Sequence, residues 1–330
     1  MNAPAAPDKT GLRTWLPGFF GLAAIWGSSF LFIKVGVEEL HPLYLALYRV
    51  AAGAATLVAV LAVTRVRLPR DARLWGHLSV IATVGVALPF ALFGYGEQRI
   101  PSVLAGIWNA TTPLIVLPIA VFAFRTERMT GRKAIGMALG FLGVLVVLGV
   151  WRGVGGSELT GQLMCVAAAA CYGVAIPYAK RFVSDTGVPG LTLAAGQLVV
   201  ATAVLAVVAP LVAGAPPSPA ALSGEAVASV LTLGAVGTGI AFVINFRNIR
   251  LAGASTASMV TYLIPIFAIA IGVVALGEGL SWYQPVGALI VLLGVATSQG
   301  LLLLRRPSRW LGRRVPVSAR SEDLVAASSQ

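Results

Sequence analysis

The chain has 330 residues, of which 58% are hydrophobic and only 11% are charged, and its mean hydropathy is +0.88. Soluble domains carry about 25% charged residues, so this composition excludes a soluble globular protein and predicts a membrane protein. The net charge of +12 does not indicate nucleic-acid binding, because the basic residues are spread over short connections and tails.

Ten apolar segments are long enough to form transmembrane helices, since roughly 20 helical residues cross a hydrocarbon layer of ~30 Å. They lie at residues 15–37, 42–64, 75–95, 101–124, 133–151, 160–181, 189–213, 226–246, 253–277 and 282–304. The first segment is longer than the apolar core of a secretory signal peptide, so we expect it to be retained. Short connections leave little chain for a soluble domain. The predicted fold is an all-α membrane protein with ten transmembrane helices.

Most of the 24 Lys and Arg residues fall into the two tails and into every second connection. Positive residues collect on the cytoplasmic side of membrane proteins. Both termini are therefore predicted to be cytoplasmic. The N-terminal tail comprises residues 1–13, and a basic, disordered tail at residues 305–330 lies against anionic lipid.

The first predicted helix contains the segment WGSSFLFIK, from Trp26 to Lys34, and its frame recurs as YGVAIPYAK, from Tyr172 to Lys180. Other residues recur in the same order: Pro113, Glu127, Gly136 and Gly143 in the first half, and Pro265, Glu278, Gly287 and Gly294 in the second. This pattern predicts two five-helix repeats, at residues 14–152 and 158–304. Because five is odd, the second repeat is inverted in the membrane, which is typical of secondary transporters.

Four segments carry a resemblance to a known family: WGSSFLFIK, HPLYLALYRVAAGA, the stretch NATTPLIVLPIAVFAFRTERMTGRKAIGMALGFLGVLVVLG, and YLIPIFAIAIGVVALGEGLSWYQPVGALIVLLGV. They resemble the EamA domain of the drug/metabolite transporter superfamily, present twice. The resemblance implies an inner-membrane, multi-pass transporter whose central cavity is lined by the first four helices of each repeat. The fifth and tenth helices are then peripheral and suited to packing or dimer contacts. Members resemble exporters of amino acids and related metabolites, and others carry nucleosides, sugars or organic ions.

Arg49 is the most informative single residue. It follows Pro42 by seven residues, which places it roughly 10 Å along the second predicted helix at 1.5 Å per residue. A charge at this depth is costly and indicates a functional site, so we predict that Arg49 binds a carboxylate or phosphate of the substrate. Two alternatives stay open: the side chain snorkels to the interface, or it binds backbone carbonyls of a neighbouring helix.

Lys34 and Lys180 end the first helix of each repeat. A cation at that position stabilises the negative end of the helix dipole, so a structural role is one interpretation. The other is that the two lysines form gates. Inversion of the second repeat places them near opposite membrane faces, Lys34 on the outside and Lys180 on the inside.

Two proline-containing segments occupy matching positions in the fourth and ninth predicted helices, and such segments indicate a midplane binding site. Their candidate substrate contacts are Trp108, Asn109, Thr112, Thr261 and Tyr262, with Pro113 and Pro265 as helix kinks. Trp26 joins them as part of an aromatic wall. Helix packing and interfacial aromatic belts explain many such residues equally well. The recurring Glu127 and Glu278 are expected to have structural loop roles, such as pairing Glu127 with a nearby arginine.

The acidic residues all lie in tails, loops or helix ends, which favours a neutral, zwitterionic or anionic substrate over a cationic drug. The predicted function is export of amino acids or related small metabolites by alternating access; an exchanger or uptake carrier for nucleosides, sugars or organic anions is the alternative. An enzyme is disfavoured because only His41 and His77 exist and they fall on opposite faces. No cofactor or metal is expected, and the partners are a small-molecule substrate and the bilayer. A monomer suffices, and a homodimer stays open.

Overall fold

The structure is a computed structural model that describes residues 14–300 except 153–155, 185, 219–220, 254–255 and 258. The predicted tails at residues 1–13 and 305–330 lie outside the described residues, as does Ser258 at the start of the ninth predicted helix.

The described chain is a succession of helices joined by short connections. In chain order they are α1 (Leu16–Glu39), α2 (Pro42–Val63), α3 (Ala72–Glu97), α4 (Ser102–Ala123), α5 (Gly131–Leu148), α6 (Gly156–Phe182), α7 (Gly190–Ala213), α8 (Gly224–Ala252), α9 (Val260–Leu276) and α10 (Tyr283–Gln299). Eight of them, α1 to α8, are long and apolar enough to cross a membrane, and α9 is a shorter apolar helix. The all-α prediction is confirmed. The ninth and tenth spans remain predictions, because α9 and α10 have 17 residues each.

Local sequence signals set several helix ends. Pro42 begins α2, where the missing N–H of proline costs nothing. The hydroxyl of Ser223 accepts a hydrogen bond from the Ala226 N–H and so caps α8. Gly277, with φ of 63°, ends α9 in the left-handed conformation that glycine adopts without strain. These signals end each helix sharply and keep the connections short.

The helix contacts have the pattern of two exchangeable halves. Helix α1 packs on α9 as α6 packs on α4, and α2 packs on α8 as α7 packs on α3. Two further contacts join equivalent helices, α2 with α7 and α5 with α10. If each helix is replaced by its equivalent in the other repeat, every one of these contacts becomes another of them or stays the same. This is the packing that a pseudo-twofold relation between inverted repeats requires.

Glycines that recur in the two repeats allow α5 and α10 to pack backbone against backbone. A Cβ atom on Gly136 would lie 2.5 Å from the carbonyl oxygen of Gly294. The equivalent pair behaves in the same way, since a Cβ atom on Gly143 or on Gly287 would lie 2.9 Å from the carbonyl oxygen of the other glycine. Side chains larger than hydrogen cannot fit there, so glycine permits the close helix contact.

Three helices are irregular near the centre of the molecule. Helix α3 contains a π-helical segment at Thr83–Ala87, and α8 contains one at Thr232–Ile240. Helix α4 is interrupted at Ala110 and Thr111, directly before Thr112 and Pro113. Irregular turns release backbone groups from the regular ladder and frequently occur at functional sites.

Candidate functional site

A cavity of about 620 Å³ lies between the two repeats. Its wall contains residues from α1 to α4 and from α6 to α9, the helices that the family resemblance implied, and also Gln299 at the end of α10. Aromatic rings form much of the surface, and polar side chains interrupt it. Lining residues from the first repeat include Trp26, Ser29, Phe30, Arg49, Phe90, Phe93, Asn109, Thr112 and Pro113. Those from the second include Tyr172, Gln197, Thr238, Phe242, Asn245, Thr261 and Tyr262.

Arg49 is held in one orientation by residues of two other helices. Its Nε donates a hydrogen bond to the Thr238 Oγ1 on α8, at 3.1 Å. Its Cζ lies 3.7 Å from the centroid of the Phe90 ring on α3, a cation–π contact. Thr238 in turn donates its hydroxyl proton to the Leu233 carbonyl at 3.1 Å, so its oxygen is oriented to accept from Arg49.

Two glycines bring α2 and α8 close enough for this contact. A Cβ atom on Gly53 would lie 2.9 Å from the Thr238 Cγ2, and one on Gly234 would lie 2.7 Å from the Arg49 carbonyl oxygen. The side chain of Arg49 is only 8% exposed, so it does not snorkel to the interface. Among the described residues, the guanidinium makes no hydrogen bond to a backbone carbonyl. Its role in substrate binding stays a prediction.

One end of the cavity is closed by contacts between the repeats. The Glu278 carboxylate, just beyond α9, accepts hydrogen bonds from the Ser102 N–H at 2.7 Å and the Val103 N–H at 2.9 Å. Its Oε2 also accepts from the Ser102 hydroxyl at 3.0 Å. The carboxylate therefore caps the first turn of α4, where the helix dipole favours negative charge.

Lys34 reinforces the same end. Its Nζ donates to the carbonyls of Glu97, at 2.7 Å, and of Ile100, at 3.3 Å, in the connection between α3 and α4. These carbonyls stand at the end of α3, where a cation is favourable. Lys34 thus connects α1 to the α3–α4 turn and does not line the cavity.

The other end of the cavity reaches Glu127, in the connection between α4 and α5. Glu127 forms ion pairs with Lys133 at 2.7 Å and Lys180 at 3.4 Å. The hydrogen bond from Lys133 is the main reason that the pKa of Glu127 is lowered. The predicted pairing with an arginine is wrong, since both partners are lysines. Glu127 and Glu278 recur in the two repeats, yet one is ion-paired in a loop and the other caps a helix.

Residues 13–149 and 159–298 each match the model of the EamA-like transporter family. The chain belongs to this family. The EamA-like repeat is therefore present twice, and the chain is a multi-pass membrane transporter.

Several similar proteins carry names of the same kind. The uncharacterized transporter YoaV of Bacillus subtilis (strain 168) is 28% identical over 84% of this chain and 94% of its own length. The uncharacterized inner membrane transporter YedA of Escherichia coli (strain K12) is 27% identical over 82% and 86%. A probable amino-acid metabolite efflux pump of Salmonella typhimurium is 26% identical over 89% and 98%. A crystal structure at 20% identity matches with a TM-score of 0.62 over 89% of this chain and 100% of that chain, which indicates a shared fold.

Most of the predicted substrate contacts of the EamA-like transporter line the cavity. They are Trp26, Arg49, Asn109, Thr112, Thr261 and Tyr262, with Pro113 beside them. The Thr112 hydroxyl is buried without a hydrogen-bond partner among the described residues. Their proximity supports a binding site, and their individual roles stay predictions.

Trp108 is the exception among these predictions. It is 1% exposed and lies outside the cavity lining, and its Nε1 donates to the Gln162 Oε1 on α6 at 3.2 Å. Asn109, the next residue, points the other way and lines the cavity. Trp108 therefore belongs to the contact between α4 and α6 in this conformation.

The two predicted gate lysines and the second predicted kink also have defined places. Lys34 and Lys180 lie at opposite ends of the cavity, near Glu278 and Glu127 respectively. Pro265 is buried inside α9, whose helix continues through it. The helix α4 is interrupted directly before Pro113, whereas α9 continues through Pro265.

Thr238, Phe90 and Phe242 line the cavity and were not predicted. The glycine-rich segment Thr232–Ile240 was a signal for close packing, although nothing in it identified Thr238 as the partner of Arg49. The capping role of Glu278 also had no local signal, because its partners stand far away in the chain. Within the described residues, no group of three or more His, Cys, Asp or Glu side chains is placed to hold a metal ion.

Proposed function

We propose that this EamA-like transporter is a secondary transporter that exports amino acids or related small metabolites across the inner membrane by alternating access. The observation that carries the proposal is the cavity between two repeats, closed at the Glu278 end and extending to Glu127 at the other. Its volume of about 620 Å³ suits a small metabolite.

The charges around the cavity support a cytoplasmic opening. Lys133 and Lys180 surround Glu127, Arg125 and Arg128 stand in the same connection, and Arg132 lies in the first turn of α5. Positive residues mark the cytoplasmic face, so the conformation described is inward-facing with both termini in the cytoplasm. Residues 14–152 and 158–304 are then the two repeats, with tails at either end.

The unlike bonding of Glu127 and Glu278 supports alternation between two states. In the inward-facing state, Glu278 caps α4 and holds the outer end closed, while Glu127 is engaged by lysines. When each repeat adopts the conformation of the other, the roles of Glu127 and Glu278 are reversed. In the outward-facing state, Glu278 releases α4, and Glu127 closes the inner end against the second repeat.

The nature of the substrate is supported by the name of one relative, the probable amino-acid metabolite efflux pump, and by the mixed aromatic and polar lining. An exchanger or uptake carrier for nucleosides, sugars or organic anions is the alternative. Transport, rather than catalysis, also agrees with the names of the relatives. The proposed assembly needs only a monomer, because one chain supplies both halves of the cavity.

Counterflow in proteoliposomes tests the proposal. Vesicles loaded with one unlabelled metabolite at a time, from a panel of amino acids, organic acids, nucleosides and sugars, are given the labelled compound outside. We expect accelerated exchange of at least one class relative to protein-free vesicles. No accelerated exchange with any compound, from protein that remains monodisperse after reconstitution, would contradict the proposal.

A further inference from the structure

The distribution of charge in the cavity bears on which metabolites it accepts. Of the lining residues that the structure describes, Arg49 is the only cation and Glu127 the only anion. Arg49 stands between the repeats, bonded to α8 and stacked on α3, whereas Glu127 stands at the mouth and is engaged by two lysines. The interior therefore presents one positive group without a negative counterpart.

The guanidinium of Arg49 has donors to offer a ligand. Of its five N–H groups, Nε–H is bonded to Thr238, and the guanidinium makes no other hydrogen bond to a described residue. The contacts with Thr238 and Phe90 fix the plane of the fork in advance. A fixed guanidinium edge fits a carboxylate through two parallel hydrogen bonds.

Neighbouring carboxylates do not satisfy Arg49. Glu97 is close enough to interact electrostatically with it, but Glu97 is fully buried outside the cavity lining, and neither of its carboxylate oxygens has a hydrogen-bond partner among the described residues. Glu278 is bound to the start of α4. A substrate ammonium group near Arg49 would therefore meet a like charge and no acidic partner.

The rest of the central wall is apolar and aromatic. Rings of Trp26, Phe30, Phe93, Tyr172 and Phe242 line the space around the site, and Phe93 stands 6.4 Å from Tyr172 between ring centroids. Polar contacts are limited to neutral amides and hydroxyls, such as Asn109 and Gln197. Gln197 lies in α7 near the position that corresponds to Arg49, so the second repeat supplies a neutral group where the first supplies a charge.

We infer that the cavity selects organic anions in which a carboxylate is attached to an apolar, preferably aromatic, body, in preference to zwitterions and cations of the same shape. The carboxylate binds Arg49 and the apolar body packs among the rings. This inference rests on the proposed function and narrows its substrate class, because it favours carboxylic acids without an ammonium group over amino acids.

Three compounds that share a phenyl group on a two-carbon chain test the inference: 3-phenylpropionate, phenylalanine and phenethylamine. Their binding to the purified transporter in nanodiscs is measured by calorimetry at pH 7.5. We expect 3-phenylpropionate to bind at least about tenfold more tightly than phenylalanine, and phenethylamine to bind more weakly still, because an ammonium near Arg49 is left unpaired. Equal or tighter binding of phenylalanine or phenethylamine would overturn the inference.

Variants of Arg49 test whether this residue causes the preference for 3-phenylpropionate. Arg49→Gln is expected to abolish the preference for 3-phenylpropionate, and Arg49→Lys to keep part of it, since lysine retains the charge but not the fork. Arg67→Gln, the same change at an exposed loop position, serves as the control and keeps the full preference. An unchanged preference in a folded Arg49→Gln variant would contradict the assignment.

Wild-type protein gives a second measurement that does not depend on the folding of variants. If none of the three compounds binds while counterflow detects exchange of an amino acid, nucleoside or sugar, this inference is overturned. The proposed function then still stands. Absence of counterflow with every compound of the broad panel overturns the proposed function and the inference with it.

Discussion

Thr238 is the residue that positions Arg49, and it illustrates how a neutral side chain can determine the geometry of a charged one. Its hydroxyl donates to the Leu233 carbonyl and accepts from the Arg49 Nε. Thr238 and Leu233 lie in the π-helical segment of α8, where the carbonyl ladder is irregular. The sequence predicted Arg49 from its depth in an apolar segment, but the partner could not be predicted because it comes from the other repeat.

Thr238→Val removes the acceptor of Arg49 without removing the charge. We expect affinity for an anionic substrate to fall by about fivefold, which corresponds to about 1 kcal/mol for one hydrogen bond. The half-saturation concentration in counterflow measures the effect. Thr64→Val at the exposed end of α2 removes a comparable hydroxyl outside the cavity lining and should have no effect. A loss of the same size in both variants would contradict the positioning role.

At the scale of elements, the connections that follow α4 and α9 distinguish the two ends of the cavity. The repeated glutamates were identified from the sequence, and a structural loop role was expected for both. The difference between a helix cap at Glu278 and a pair of lysines at Glu127 could not be predicted. Equivalent sequences indicate equivalent positions, whereas the bonding of each glutamate depends on the residues packed against it.

Opposite effects of two matched variants follow from this difference. Glu278→Gln weakens the cap on α4 and should shift the transporter toward the outward-facing state. Glu127→Gln should shift it toward the inward-facing state, because Glu127 is needed to close the inner end. The measurement is labelling by an impermeant maleimide of a single cysteine, introduced into the cavity wall as Ala110→Cys. The native Cys165 and Cys171 are replaced by alanine so that only this cysteine reacts. Shifts in the same direction would refute the exchange of roles.

The packing of α5 on α10 also belongs to the scale of elements. Gly143→Val and Gly287→Val each place methyl groups against the facing backbone, so both should destabilise the protein to a similar extent, by about 1–3 kcal/mol. Gly76→Val, where no atom lies near the added Cβ, is the control for the change in composition. Thermal unfolding in detergent compares the three variants. A marked difference between Gly143→Val and Gly287→Val would argue against equivalent roles in the two repeats.

At the scale of the whole molecule, internal repetition made the architecture predictable from one sequence. Five matching positions, from Trp26 and Tyr172 to Gly143 and Gly294, ordered the helices into two halves, and the helix contacts have the corresponding exchange pattern. The interior of the cavity was less predictable. Trp108 and Asn109 are adjacent, yet one packs on α6 and the other lines the cavity, and a single sequence does not reveal which way each faces.

The most direct test of alternating access is labelling, from both sides of the membrane, of the single cysteine in the Ala110→Cys variant. Its native Cys165 and Cys171 are replaced by alanine, and the rest of the chain is wild type. An impermeant maleimide is applied to right-side-out and to inside-out vesicles under conditions of substrate exchange. Alternating access through the cavity predicts labelling from both sides without leakage of the reagent across the bilayer, and inhibition of exchange once the site is labelled. Labelling from one side only, or exchange that continues at full rate after complete labelling, would contradict a transport pathway through the cavity.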